Sequence, residues 1–233
     1  MGIVIIVGNY GSGKTEIAIN LAVHQKISGT NVNIGDLDLV NPYFRTREAK
    51  DALSRLNIEV IVPGGQYLQS DLPILSPTIK GMLLKPGQLF ILDVGGNHVG
   101  ARVLSALYDA LCNKSFKLLQ VVNPFRPFTR TINDCDKIRR DIERASRQNI
   151  NGIIGNANLI HETTPEIIYS GYQFIDHLCN EWDLSLEFIT VPRPILNDID
   201  MNRISCPVLP IERQLVPPWH KPTPLGHKNF ILH

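Results

Sequence analysis

Seven short, mostly apolar runs recur along the chain, each too brief for a helix and separated from the next by an amphipathic stretch. They are Ile3–Val7, Asn31–Asp38, Ile58–Val62, Gln88–Val94, Phe116–Asn123, Ile150–Asn156 and Leu186–Val191. A strand that is apolar on both faces must be covered on both faces, which is the situation of a parallel sheet between helices. The intervening stretches supply those helices. Lys14–Ile27 places Ile17, Ala18, Leu21 and Ala22 at helical spacing, and Thr46–Leu56 does the same with Ala49, Ala52, Leu53 and Leu56. Leu75–Leu84, Val99–Leu111, Thr129–Arg147 and Thr164–Trp182 read as further helices, the last with a Thr-Pro start signal. The alternation predicts an α/β fold: a doubly wound, mostly parallel sheet of about seven strands in a three-layer αβα sandwich.

Composition narrows the class of protein. At 233 residues, 43% hydrophobic and 19% charged, the chain has enough apolar material for a globular core, which excludes a disordered protein. The 23 basic and 22 acidic residues leave a net charge of +1, so bulk nucleic-acid binding is not expected. No apolar run approaches the roughly 18 residues of a membrane span. Met1–Gly8 is apolar but lacks a basic lead and runs into glycines, unlike a signal peptide. Cys112, Cys135, Cys179 and Cys206 form no C-x-x-C pair, so no zinc or redox motif is visible and a cytoplasmic setting is expected. Eight of the 16 prolines lie from Pro192 onward. The expected organisation is therefore one domain over residues 1–194, with 195–233 a Pro-rich extension packed on it or trailing from it. Within that extension Cys206–His233 is expected to be extended or irregular, anchored by Leu209, Ile211, Leu215 and Trp219.

Gly8-Asn9-Tyr10-Gly11-Ser12-Gly13-Lys14-Thr15 fits G-x-x-x-x-G-K-[ST], and it lies between an apolar run and an amphipathic one, as a phosphate-binding loop requires. Glycines let the backbone turn its N–H groups onto phosphate oxygens, and the helix that follows adds its positive end. Lys14 would place a charge between β- and γ-phosphates, Thr15 would ligate Mg2+, and Glu16 opens the helix beside them.

Carboxylates fall at two strand ends. Asp36 and Asp38, in Gly35-Asp36-Leu37-Asp38, are two apart and point to one face of a strand. Such a pair can hold a magnesium-bound water or orient an attacking one; it can equally cap the turn that follows. Asp93 ends the most apolar run and precedes Val94-Gly95-Gly96, the pattern of a strand-end aspartate that reaches magnesium through water. Lys14 and Asp38 are the catalytic candidates, and Thr15, Asp36 and Asp93 the metal candidates.

With these elements in order, the chain resembles the SIMIBI class of P-loop NTPases, nearest its MinD/ParA-type branch, which includes nitrogenase iron protein-like and dethiobiotin synthetase-like members. The resemblance covers about residues 1–194. It matches the family's D-x-D to Asp36-Leu37-Asp38 and its D-x-x-G switch to Asp93-Val94-Gly95-Gly96. It implies a base-contacting asparagine at Asn156 or Asn158, and a base-lining segment at Val191-Pro192-Arg193-Pro194. The family carries a signature lysine early in the loop, which crosses to a partner subunit; this chain has Asn9 there, so any homodimer would need a substitute charge such as Arg45 or Arg47. The guanine-reading N-K-x-D is missing, because Asn156-Ala157-Asn158-Leu159 lacks its lysine and acid, and this favours ATP/ADP. The implied function is a magnesium-dependent ATPase whose hydrolysis switches its affinity for a protein partner. The alternatives are an ATP-dependent small-molecule kinase or ligase, and a nucleotide sensor that does not hydrolyse. Val122–Phe128, on the ligand side, reads either as a proline-fixed loop with its phenylalanines packed inward or as a contact for a substrate or partner, and the charged face of Thr129–Arg147 as solvated.

Overall fold

The structure is a computed structural model, which describes residues 2–38, 45–62, 79, 81, 83, 88–111, 114–216 and 222–225. Its strands are β1 (Ile3–Gly8), β2 (Val32–Leu37), β3 (Glu59–Ile61), β4 (Leu89–Val94), β5 (Phe116–Val122), β6 (Gly152–Gly155), β7 (Leu186–Pro192) and β8 (Val208–Ile211). Among the described residues they form one sheet of eight strands in the order β3-β2-β4-β1-β5-β6-β7-β8, and every pairing is parallel. The helices are α1 (Lys14–Ile27), α2 (Lys50–Arg55), α3 (Asn97–Ser105), α4 (Tyr108–Leu111), α5 (Ile132–Ser146) and α6 (Pro165–Trp182). None of the described helices is long and apolar enough to cross a membrane.

Two cores sandwich the sheet. On one face Ile17, Ala18 and Val23 of α1 and Leu53 of α2 pack with Ile6, Ile34 and Ile91. On the other, Leu104, Leu111, Ile142 and Leu178 from α3–α6 pack with Ile5, Leu92 and Leu118. Successive residues of one strand thus face opposite layers, which is why the strands are apolar at both alternating positions. The expected three-layer P-loop NTPase fold is the one found.

Several elements differ from expectation. The eighth strand lies in the stretch expected to be extended or irregular. Val208–Ile211 runs parallel to β7 at the edge of the sheet, where Pro210 is tolerated because only one flank of the strand needs hydrogen bonds. The stretch 99–111 is two helices, not one. A turn at Ala106–Leu107, closed by bonds from Leu107 N to Leu104 O and from Ala110 N to Leu107 O, sends both Leu107 and Leu111 into the core. The segment 46–56 begins as a 3₁₀ turn (Thr46–Ala49) and becomes α-helical only at Lys50. The helix expected over 75–84 lies mostly outside the described residues, as do Asn41–Phe44, Cys112 and Trp219. Thr131 and Thr164 cap α5 and α6, each hydroxyl accepting an N–H of the first turn.

Candidate functional site

A cleft of about 810 Å³ opens along the carboxyl ends of the strands, where ligands bind in open α/β sheets. Its lining follows the sheet order: Asp38 after β2, Gly96 after β4, the glycine loop after β1, Asn123 after β5, Asn156 and Asn158 after β6, Pro192–Pro194 after β7, and Glu212 after β8.

The loop between β1 and α1 turns through Gly8, Gly11 and Gly13, at φ of 147°, 71° and 95°. Gly13 admits no side chain for a second reason: a Cβ there would stand 2.2 Å from Asn156 Nδ2. That amide donates to the Ser12 carbonyl at 2.6 Å, while Asn156 Oδ1 accepts from Thr190 Oγ1 at 2.5 Å. Asn156 therefore braces the loop against β7. Asn9, in the signature-lysine position, donates to the Pro127 carbonyl at 3.3 Å and so points to the loop after β5.

Lys14 is buried, with Nζ donating to the Asn9 carbonyl at 3.0 Å. Burial pushes its pKa down, and Asp93 and Asp38 oppose that shift. The segment after β4 presses on this lysine. A Cβ on Gly96 would lie 2.9 Å from Tyr10 Cα and 3.3 Å from Lys14 Nζ, and one on Gly95 would lie 2.8 Å from Asp38 Oδ1. Gly95–Gly96 thus lies against the glycine loop, Lys14 and Asp38.

The aspartates divide their work. Asp36 and Asp93 are register neighbours on β2 and β4, both fully buried. Asp36 is committed to Arg47: Oδ2 accepts from Arg47 Nε at 2.7 Å and from its backbone N at 3.0 Å, and Oδ1 accepts from Nη2 at 3.2 Å. The Arg47 guanidinium also donates to the Asp38 carbonyl at 3.1 Å. Asp93 is pushed up to about 7, first by burial and then by the Asp36 charge, against the Thr46 hydroxyl at 2.7 Å and the charge of Lys14. Its Oδ1 has no hydrogen-bond partner, and neither has the buried Ser12 Oγ. Among the described residues no three His, Cys, Asp or Glu side chains converge as a self-contained metal centre. The donor set fits a cation held mainly by a ligand's phosphates, with the Thr15 hydroxyl and the orphaned Asp93 oxygen on the protein side.

In the first turn of α1, Glu16 is pushed up to about 7 by burial, although its carboxylate accepts from the backbone N of Gln214 at 2.7 Å and of Leu215 at 3.0 Å. It straps the segment after β8 onto α1. Asn20 adds two bonds to the Glu212 backbone, at 2.8 and 3.1 Å. Arg193 lies 3.4 Å from Glu212, and Arg213 contacts His161 at 3.2 Å.

The cleft therefore gathers Tyr10, Gly11, Gly13, Lys14, Thr15, Glu16, Asp38, Asn156, Asn158, Pro192 and Arg193. Gly8, Asn9, Ser12, Asp36 and Asp93 stand behind that surface. Arg126 lies in the ligand-side loop that sequence reasoning did mark, but that reasoning passed over the Asp36–Arg47 clamp and Glu212 with Arg213. No local pattern marks these residues, because each is brought in by a different strand crossing.

Solved structures share this fold. Cell division protein FtsY from Thermotoga maritima aligns over 82% of this chain and 61% of its own, with a TM-score of 0.59 at 18% identity. Chloroplast FtsY from Physcomitrella patens aligns over 81% and 57%, with a TM-score of 0.56 at 17% identity. The signal recognition particle 54 kDa protein from Aeropyrum pernix, solved in complex with GDP, aligns over 81% and 41%, with a TM-score of 0.50 at 19% identity. The chain spans about six-tenths of the two FtsY structures. At these identities the likeness is one of fold. It places the chain in the P-loop NTPase fold, and it does not show the MinD/ParA-type resemblance. No protein-family model and no curated protein matches the chain.

Proposed function

We propose that this protein is a magnesium-dependent nucleoside triphosphatase, with ATP as its nucleotide, that acts as a switch on a protein partner in the cytoplasm. The observation that carries the reading is the apposition of Gly96 to Tyr10 and Lys14, with Asp38 against Gly95. A terminal phosphate on Lys14 makes contact with the Gly95–Gly96 backbone that a diphosphate cannot make. A contact made with one ligand and not the other is what shifts a conformational equilibrium.

The roles follow from position. Loop N–H groups and the α1 N-terminus hold phosphate oxygens, and Lys14 neutralises charge that grows in the transition state. Thr15 and Asp93 would hold magnesium, whose chemistry when bound is neutralisation of the β- and γ-oxygens. Asp38, at the cleft and beside the switch glycines, orients the attacking water. Asp36 acts through Arg47 and sets the position of the segment that starts at Arg45. Asp36 engages Arg47 in a buried pair, whereas Arg45 is held only by a partly exposed pair with Glu48, so Arg45 is the better candidate for the cation of a phosphate-driven homodimer. Adenine is favoured by the absence of N-K-x-D at Asn156–Leu159.

Single-turnover assays with ATP and GTP test the proposal. Magnesium-dependent release of free phosphate from ATP is expected. A phosphorylated small molecule in place of free phosphate would make the protein a kinase, and binding without release would make it a sensor.

A further inference from the structure

The carboxylate of Glu212 is in an unusual position. Glu212 follows directly on β8, only 2% of it is exposed, and it forms part of the cleft wall. Its nearest charge is Arg193 Nε at 3.4 Å, yet neither carboxylate oxygen has a hydrogen-bond partner among the described residues. Its backbone is held in place on α1. Glu212 N donates to Asn20 Oδ1, Glu212 O accepts from Asn20 Nδ2, and the next residues are strapped to Glu16. A buried charge is retained at low cost only when its lone pairs are also hydrogen-bonded. One ion pair without hydrogen bonds leaves most of that demand unmet. Beyond the Arg193 guanidinium, further N–H donors for these oxygens can come from the cleft.

We infer that Glu212 is the base-reading residue of the nucleotide site, accepting hydrogen bonds from the amino-bearing edge of a purine. This rests on the nucleotide-binding reading above and adds to it a specificity residue that no P-loop motif contains. Position argues for the base and against the ribose. From β1, which carries the phosphate loop, to β8 are four steps across the sheet, through β5, β6 and β7. At about 4.8 Å per strand the distance is roughly 19 Å. Glu212 therefore follows a strand four places from the phosphate loop, its backbone held against Asn20 of α1 and Arg193 of the post-β7 segment beside it. Chemistry argues the same way. Two anionic oxygens repel phosphate and attract an amine, and adenine and guanine each present one.

The test uses the whole chain. Wild type, Glu212→Gln and Glu212→Asp are titrated by calorimetry with ATP, GTP and inorganic tripolyphosphate, each with magnesium. A hydrogen bond to a charged group accounts for about a 10- to 100-fold change in affinity. The expected result is a loss of that size in Glu212→Gln for the purine nucleotide that wild type prefers, a smaller loss in Glu212→Asp, and unchanged tripolyphosphate binding. Whether ATP or GTP suffers the loss identifies the base. Nucleotide affinities equal to wild type in both variants would overturn the assignment. So would an equal loss for tripolyphosphate, which would make Glu212 a structural residue. If wild type binds tripolyphosphate but no purine nucleotide more tightly, the nucleotide reading itself fails, and the role of Glu212 with it.

Discussion

The two ends of the cleft are built by opposite strategies. The end proposed to take the phosphates is nearly contiguous in sequence: Gly8–Thr15 form most of it, joined by Asp38, Asp93 and Gly96 from elsewhere. The end proposed to take the base is a patchwork of Asn158, Pro192–Pro194, Glu212, Arg213, Leu215 and Val216, joined by parallel strand crossings. The first is backbone chemistry, in which glycine conformations aim N–H groups. The second is side-chain chemistry, in which a buried carboxylate, an arginine and a strap hold a surface together. Asn156 joins them, bonded to the Ser12 carbonyl on one side and to Thr190 of β7 on the other. An end made of local backbone is expected to respond to single changes in ligand binding. An end made of long-range contacts is expected to respond first in stability.

The largest effect is expected at the phosphate end. Lys14→Ala removes a buried cation that no neighbouring side chain replaces, and triphosphate affinity is expected to fall by about 100-fold or more. Calorimetry measures this, and a loss under threefold would remove Lys14 from the phosphate site. Asp38→Asn is expected to keep ATP affinity within a few-fold while slowing single-turnover hydrolysis by about 100-fold, as general-base and water-positioning groups do. Equal rates in the two proteins would exclude Asp38 from the chemical step.

The next two predictions probe the join and the patchwork. Asn156→Ala leaves the Ser12 carbonyl and the Thr190 hydroxyl without their partner, and a cost of about 2–3 kcal/mol in unfolding free energy is expected. Because Asn156 also fixes the loop, nucleotide affinity is expected to fall in parallel. A variant that loses affinity at full stability would place Asn156 on the ligand instead. Glu16→Ala is expected to have the smallest effect, about 1–2 kcal/mol, because the two backbone bonds it loses are partly offset by removing a carboxyl that burial disfavours. Cleavage after residue 211 should accelerate in limited proteolysis while tripolyphosphate binding stays within a few-fold. A large loss of tripolyphosphate binding would show that Glu16 serves the phosphate end after all.

The strands that were legible are those with long apolar runs, since double-sided burial leaves a signal in every residue of the strand. β8 escaped because it is four residues long, contains Pro210 and is buried by β7 and α1, partners that local composition does not reveal. The single helix expected over 99–111 failed for a related reason: helical spacing continues across Ala106–Leu107, and only packing of Leu107 and Leu111 shows the break. At the site, the spacing of Asp36 and Asp38 is visible in one strand, but their different employment is not. Arg47 takes Asp36 because a 3₁₀ turn brings it back over the end of β2.

By itself, then, the sequence determined the phosphate loop, the parallel sheet and the strand-end aspartates, since each depends on residues close together in the chain and on periodicities of two or 3.6. Tertiary structure alone decided which carboxylates remain available, what Asn156 holds, and that Glu212 reaches the cleft across nearly 200 residues from Lys14. Those outcomes depend on desolvation and on which strand lies beside which, and both come into being only when distant segments are packed against one another.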